Sequence, residues 1–194
     1  MSTTLIVLVL IVFALAGIAF WIVTLYNELV RMRNAVDQAW ANIDVILKQR
    51  HDELPKLVDV CNAYMTHERE TLEAVIAART ASVSGRKIED KTQGENMITA
   101  ALGHLFAVAE AYPQLQANQH FSQLQQRISA IESQIADRRE FFNDSVTLFN
   151  TRIQQIPDTF VADILRYTPR PLLEIPKADI RDTPLAFANR RSAA

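Results

Sequence analysis

The chain has 194 residues, 49% hydrophobic and 22% charged, with 20 Lys and Arg against 22 Asp and Glu. This suits one domain with an appendage, and it excludes both a disordered chain and a wholly membrane-embedded one. Only four glycines and one cysteine occur, and basic residues are not in excess. A glycine-rich phosphate loop, an internal disulfide, a cysteine-built metal site and a basic nucleic-acid surface are therefore not expected.

The first predicted element is a membrane anchor over residues 1–25. Leu5 to Leu25 is apolar except for Thr24, and no charged side chain precedes Glu28. At the helical rise that run spans about 31 Å, the thickness of a bilayer hydrocarbon core. Trp21 and Tyr26 stand at its end, where aromatic rings favour the interface. A cleaved signal peptide is the competing reading, with Ala14-Leu15-Ala16 resembling a cleavage site. No Lys or Arg precedes the run, however, and it continues well past Ala16, which favours an uncleaved anchor. Arg31 and Arg33 follow the span, so the positive-inside tendency predicts an outside N-terminus and a cytoplasmic C-terminal domain. A periplasmic domain is the alternative.

Residues 26–157 carry helical periodicity. Val36, Trp40, Ile43 and Leu47 form one stripe, on a helix that continues straight out of the membrane. Pro55 predicts a kink or restart near His51 to Leu54, because proline lacks the N–H donor. A second ladder holds Leu57, Cys61, Tyr64, Leu72 and Val75, with Glu68 on the rung between Tyr64 and Leu72. It ends at Ser84-Gly85, where Arg86, Lys87, Glu89, Asp90 and Lys91 read as a solvated connection. The third helix carries Ile98, Leu102, Leu105, Ala109 and Tyr112, closed by Pro113. In the fourth, Phe121, Leu124, Ile128, Ile131, Ile135, Phe142, Phe149 and Ile153 share a heptad seam, interrupted by Arg138 and Ser145. The expected fold is all-α: a single transmembrane helix continuing into an antiparallel up-and-down four-helix bundle. Residues 158–194 then form a short amphipathic helix, with Phe160, Val161, Ile164 and Leu165 apolar, and an extended tail broken by Pro169, Pro171, Pro176 and Pro184.

These motifs resemble the LemA family of bacterial membrane-anchored helical proteins. The likeness rests first on Tyr26-Asn27-x-Leu29-Val30-x-x-Arg33-Asn34-x-Val36-x-x-Ala39-Trp40-x-x-Ile43-Asp44-Val45, continuing through Arg50, Leu54-Pro55 and Leu57-Val58. It rests further on Tyr64-x-x-His67-Glu68-x-x-Thr71-Leu72, Tyr112-Pro113-x-Leu115-x-Ala117-Asn118, Phe121, Leu124-Gln125 and Arg138-Arg139-x-Phe141-Phe142-Asn143. It covers roughly Tyr26 to Pro157. Phe149-Asn150 and Leu172-Leu173-Glu174 depart from the family pattern, which predicts different docking of the tail. The resemblance implies one N-terminal anchor, a helical bundle, no catalytic residues, and a role in membrane organisation or envelope integrity.

No catalytic, cofactor or metal residues are expected. Lys48, Tyr64, Ala101 and Ala117 precede the histidines at minus three, so no Glu-x-x-His pair exists, and Thr71 stands where a zincin signature needs histidine. Cys61 on an apolar ladder reads as a buried structural thiol, and Trp40 as core. Similar heights along the helices suggest a partly buried Arg33–Glu68–Arg138 layer, with His67 and Asp44 as neighbours. That layer either fixes helix register or binds an anionic group or partner. The fourth helix, longer than the first, either packs its apolar side chains against the bundle or brings Phe141, Phe142 and Phe149, with Phe160 and Leu165, to the membrane surface. The expected partners are the lipid bilayer and either further copies of the chain or another membrane protein, with no nucleic acid or small-molecule substrate. The expected function is a non-enzymatic scaffold at the bacterial inner membrane; the alternative is a regulatory accessory subunit for a membrane protease or signalling complex.

Overall fold

In the computed structural model, which describes residues 2–85 and 88–174, the first helix α1 runs unbroken over Ser2–Asn62. Its 61 residues extend about 90 Å. Five further helices follow: α2 (Arg69–Ser84), α3 (Ile88–Ala109), α4 (Pro113–Gln116), α5 (Gln119–Gln154) and α6 (Asp158–Ile164). All secondary structure among the described residues is helical. The apolar start of α1 is long enough to cross a membrane, and none of it is buried in the protein. Burial begins at Leu25 and Leu29.

Pro55 does not break α1, contrary to expectation. Proline at this position leaves the carbonyl of His51 without its helical N–H. Arg79 Nε, from α2, donates to that carbonyl at 3.0 Å. A tertiary contact thus satisfies the orphaned acceptor, and the helix continues for two more turns. Leu57 and Cys61 accordingly belong to α1, and Tyr64 to the turn before α2. Pro113 occupies the first turn of α4 instead of merely closing α3, a position where a missing N–H costs nothing. Asp90 and Lys91 lie in the first turn of α3 and not in a connection. Arg86, Lys87, the side chain of Glu89, Pro176 and Pro184 lie outside the described residues.

Two core clusters stack along the axis. In the distal one, Leu54, Leu57, Cys61 and Met65 of α1 meet Val75 of α2, Ile98 and Leu105 of α3, Leu115 of α4 and Phe121 and Ile128 of α5. In the proximal one, α1 from Leu29 to Leu47 packs on α5 from Ile131 to Ile153, joined by Ala162 and Leu173. The order of these pairings makes α1 and α5 antiparallel. Trp40 is half-buried, set edge-on to Phe142 with ring centroids 5.8 Å apart.

The α5 seam departs from the heptad walk. Beyond Ile135 the buried rungs are Arg139, Phe142, Val146, Phe149 and Ile153, while Arg138 is exposed and Ser145 half-exposed. Buried positions recur at eleven: Leu124, Ile135 and Val146, and again Ile131, Phe142 and Ile153. Ala39, Arg50 and Cys61 repeat the same interval on α1. A nearly straight helix drifts by about 20° per heptad against a 3.5 repeat, so a strict walk loses register by one residue.

The expected length mismatch between α1 and its partner also disappears. Because α1 reaches Asn62, the part beyond Leu25 is about 56 Å long, against about 54 Å for α5. Of the two readings for the apolar set, Phe142 and Phe149 follow the packing one, both being buried in the proximal core.

After α6 the chain turns back along α5 in extended form. Asn150 Oδ1 accepts the Arg170 N–H at 2.8 Å, and its Nδ2 donates to the Arg170 carbonyl at 2.8 Å. Asn143 repeats this with Leu173, at 2.8 and 3.0 Å. The spacing is commensurate: seven helical residues rise about 10.5 Å and three extended residues span about 10 Å.

Candidate functional site

The largest fully buried side chain is Arg50, a rung of the α1 seam between Leu47 and Leu54. Its guanidinium sits where α1, α3 and α5 converge. Nη1 donates to Glu132 Oε1 at 2.5 Å and to Thr99 Oγ1 at 3.0 Å. Nη2 donates to the Glu95 carboxylate and, at 3.2 Å, to the Glu95 carbonyl. The other Glu95 oxygen accepts from His51 Nε2 at 2.8 Å and from the Ser82 hydroxyl. Thr99 Oγ1 lies 3.0 Å from Glu132 Oε2, completing a ring of polar groups around the arginine. Of the three guanidinium nitrogens of Arg50, Nε has no hydrogen-bond partner among the described residues.

Local sequence builds this cluster. Gly94 lets α3 approach α2 so closely that a Cβ there would stand 2.5 Å from Ser82 Cα and 2.6 Å from its nitrogen. That approach places Ser82 against Glu95. Arg50 and His51 are consecutive, so their side chains diverge from α1 and grip the two oxygens of one carboxylate from different sides. Glu95 is 2% exposed. Burial pushes its carboxyl up, but the His51 hydrogen bond, the Arg50 charge and the bonds from Ser82 and Arg50 outweigh it and hold the group at about 2. The cluster therefore contains a carboxylate at neutral pH, fully occupied by donors. Below it, Glu53 of α1 forms an ion pair with Arg127 of α5 at 2.8 Å and accepts from Lys56 at 3.2 Å. Towards the membrane side, buried Arg139 donates to Asn96 at 2.9 Å.

The expected charged layer is not assembled. Arg33 is exposed, its guanidinium carbon 5.4 Å from the centre of the Tyr167 ring. Glu68 is half-buried and accepts from the Tyr112 hydroxyl at 3.1 Å. Asp44 is exposed and pairs with Lys91 at 3.0 Å. His67 and Arg138 are exposed. None of the five touches another through a hydrogen bond or ion pair among those described. Of the apolar set, Phe141 and Phe160 are exposed and Leu165 is half-buried.

The signal for Arg50 was nevertheless present. The stripe Val36, Ile43, Leu47 continues at regular spacing to Arg50 and Leu54 once Pro55 is not treated as a break. Glu95 precedes Ile98 by one rung, and Glu132 adjoins Ile131.

Cys61 is buried in the distal core, and burial pushes its thiol up to about 11. At that value the thiol, not the nucleophilic thiolate, is the form present at neutral pH. Among the described residues no three His, Cys, Asp or Glu side chains converge to hold a metal ion.

At the distal turn, Asn118 caps α5: its Oδ1 accepts from the His120 and Phe121 N–H groups at 2.8 and 3.2 Å. Its Nδ2 donates to the Tyr64 hydroxyl at 3.0 Å, tying the α4–α5 corner to the α1–α2 turn. The Tyr64 and Tyr112-to-Asn118 motifs are therefore parts of one corner.

Residues 39–187 match the model of the LemA family. Protein LemA of Metamycoplasma hominis is 30% identical over 129 residues, 66% of this chain and 58% of that protein. Magnetosome protein MamQ of Magnetospirillum gryphiswaldense is 26% identical over 165 residues, 72% of this chain and 61% of that protein. Magnetosome protein MamQ 2 of Paramagnetospirillum magneticum is 24% identical over 184 residues, 80% and 68% respectively. The matched region thus spans little more than half of the first of these relatives. The family-model match over residues 39–187 takes in the Arg50 cluster, the Asn118 corner and the paired asparagines of α5, and this chain belongs to the LemA family.

Proposed function

We propose that this protein is a non-enzymatic, membrane-anchored helical scaffold of the bacterial inner membrane. In this reading α1 crosses the bilayer once, with its N-terminus outside and a four-helix bundle in the cytoplasm. It acts by self-association or by contacts with other membrane proteins. The observation that carries the reading is the run from Leu5 to Val23, whose side chains are apolar and all exposed on an α1 that otherwise buries a regular face. Exposed apolar surface on that scale needs lipid around it. The magnetosome relatives add support, since their names attach them to an organelle.

The buried polar groups support a structural role for the interior. Arg50, Glu95, His51 and Ser82 are engaged with one another, which leaves none free for a substrate. An anchored protein confined to a plane gains effective concentration, so weak lateral contacts become significant.

The test is the mass of the full-length protein in native membranes, with crosslinking in place. Homo-oligomers support the scaffold. A monomer crosslinked to one other membrane protein sinks self-assembly and makes the chain an accessory subunit.

A further inference from the structure

The register between α1 and α5 fixes which part of the molecule faces the bilayer. Trp40 meets Phe142. Fourteen residues before Trp40 is Tyr26, and fourteen beyond Phe142 is Ile156. The corner between α5 and α6 therefore lies level with the end of the apolar segment. Independent contacts agree: Ala162 of α6 belongs to the core cluster that includes Leu29, and Tyr167 stacks on Phe149 and under Arg33. From there the chain climbs away, with Arg170 on Asp37 at 3.0 Å. Residues 155–165 thus close the proximal end.

This cap wears its apolar side outward. Ile156 is 79% exposed, Phe160 63% and Ile164 82%. Phe160 and Ile164, four apart on α6, share one stripe opposite the buried Asp158 and Ala162, and Ile156 is exposed in the turn just before the helix. Asp158 is held by Arg152 at 3.0 Å, which orients the short helix from below its buried side. A surface helix normally presents polar residues to water, so two large apolar residues on its outer stripe, with a third exposed in the adjoining turn, mark an interface. Continuity with the apolar segment of α1 identifies the occupant. Arg31 and Arg166 are both exposed nearby and suit anionic headgroups, Arg31 while also standing 3.4 Å from the Glu28 carboxylate.

We infer that the α5–α6 corner seats on the bilayer, with Ile156, Phe160 and Ile164 entering the interfacial zone of the leaflet from which α1 emerges. Interfacial helices of this kind bury their apolar face about 5–10 Å into the headgroup and acyl boundary. The protein then holds the membrane at two places, a span and a foot. The inference rests on α1 crossing the bilayer and is independent of self-association.

The experiment uses the full chain in phosphatidylethanolamine–phosphatidylglycerol vesicles. Nitroxide labels are placed singly at Phe160→Cys, Ile164→Cys, Phe13→Cys in the span and Phe141→Cys on the exposed side of α5. Cys61 is fully buried and stays unlabelled, which the parent protein verifies. The expected result is several-fold protection of positions 160 and 164 from an aqueous nickel chelate relative to position 141, with enhanced relaxation by oxygen. Position 13 should be more protected still. Equal chelate access at 160 and 141, with 13 protected, overturns the foot and leaves the anchor standing. Chelate access at 13 removes the anchor and the foot together. Protection at 160 that disappears as protein is diluted in lipid assigns the stripe to a second copy and likewise overturns the proposal.

Discussion

Arg50 is the side chain whose loss should cost most. Replacing it with methionine leaves the buried Glu95 without its ionic partner and Glu132 with a weakened one. Removing one member of a buried ion pair typically costs about 3–5 kcal/mol. Arg50→Met is expected to lose that much in urea unfolding of the full chain in mild detergent. Adding Glu95→Gln should recover part of the loss, since the uncompensated charge is gone. A loss under about 1 kcal/mol would mean that the cluster is solvated and not a register lock.

The same carboxylate gives a sign for pH dependence. Glu95 titrates at about 2 in the folded chain, below its ordinary 4.5. A depressed carboxyl contributes stability above its unfolded value that is lost as pH falls through its folded value. Stability should therefore decline between about pH 4.5 and 2, by on the order of 3 kcal/mol in total. The groups facing it are Arg50 and His51 from α1, Ser82 from α2 and Glu132 through Arg50 from α5. Comparing unfolding midpoints of the parent and Glu95→Gln across that range checks the assignment. The variant should be less stable at neutral pH and flatter in acid.

Among the elements, α1 depends on a contact outside itself. His51 loses a helical donor to Pro55 and regains one from Arg79. Arg79→Met should cost about 1–2 kcal/mol, because a buried carbonyl is left unsatisfied. In a Pro55→Ala background the helix supplies its own N–H, so the same change should cost much less. A double-mutant cycle with no coupling would show that water fills the position instead. This element also explains what sequence alone missed. Proline's local chemistry predicts a break, and only the tertiary approach of α2 cancels it. Once the break is placed at Pro55, Arg50 falls at a helix end instead of mid-seam, and the buried cluster becomes invisible. The Arg33–Glu68–Arg138 layer arose in the same way, from heights measured to a turn that is not there. By contrast the α5 ladder was legible at every apolar rung from Phe121 to Ile153, and only its two polar rungs, Arg138 and Ser145, fell one residue short of the buried Arg139 and Val146, where a 3.5 repeat met a 3.6 helix. The Asn150 and Asn143 clamps carry no periodic signal at all. Their partners, Arg170 and Leu173, are near only because α6 reverses the chain.

At the scale of the whole molecule the two cores differ in thickness. Four long helical segments share the distal core, whereas the proximal core is α1 and α5 with α6 and a strap of tail. Fewer buried neighbours mean cheaper local opening. Hydrogen exchange of the full chain in nanodiscs should therefore show slower exchange for residues 54–61 and 98–105 than for residues 142–153. Asn150→Ala, which releases Arg170, should accelerate the proximal set and leave the distal set unchanged. Uniform exchange throughout would show that the bilayer end is as firmly held as the tip.

The unbroken course of α1 has a mechanical consequence. A helix with no hinge between the lipid and its far end behaves as a strut, and the α1–α2 turn stands about 55 Å above the bilayer edge. The Asn118 corner and the distal turn are thus presented at a fixed altitude. A neighbour that engages them must itself rise to that height or belong to an opposing surface. In the scaffold reading proposed above, partners would then be sorted by how far they stand from the membrane.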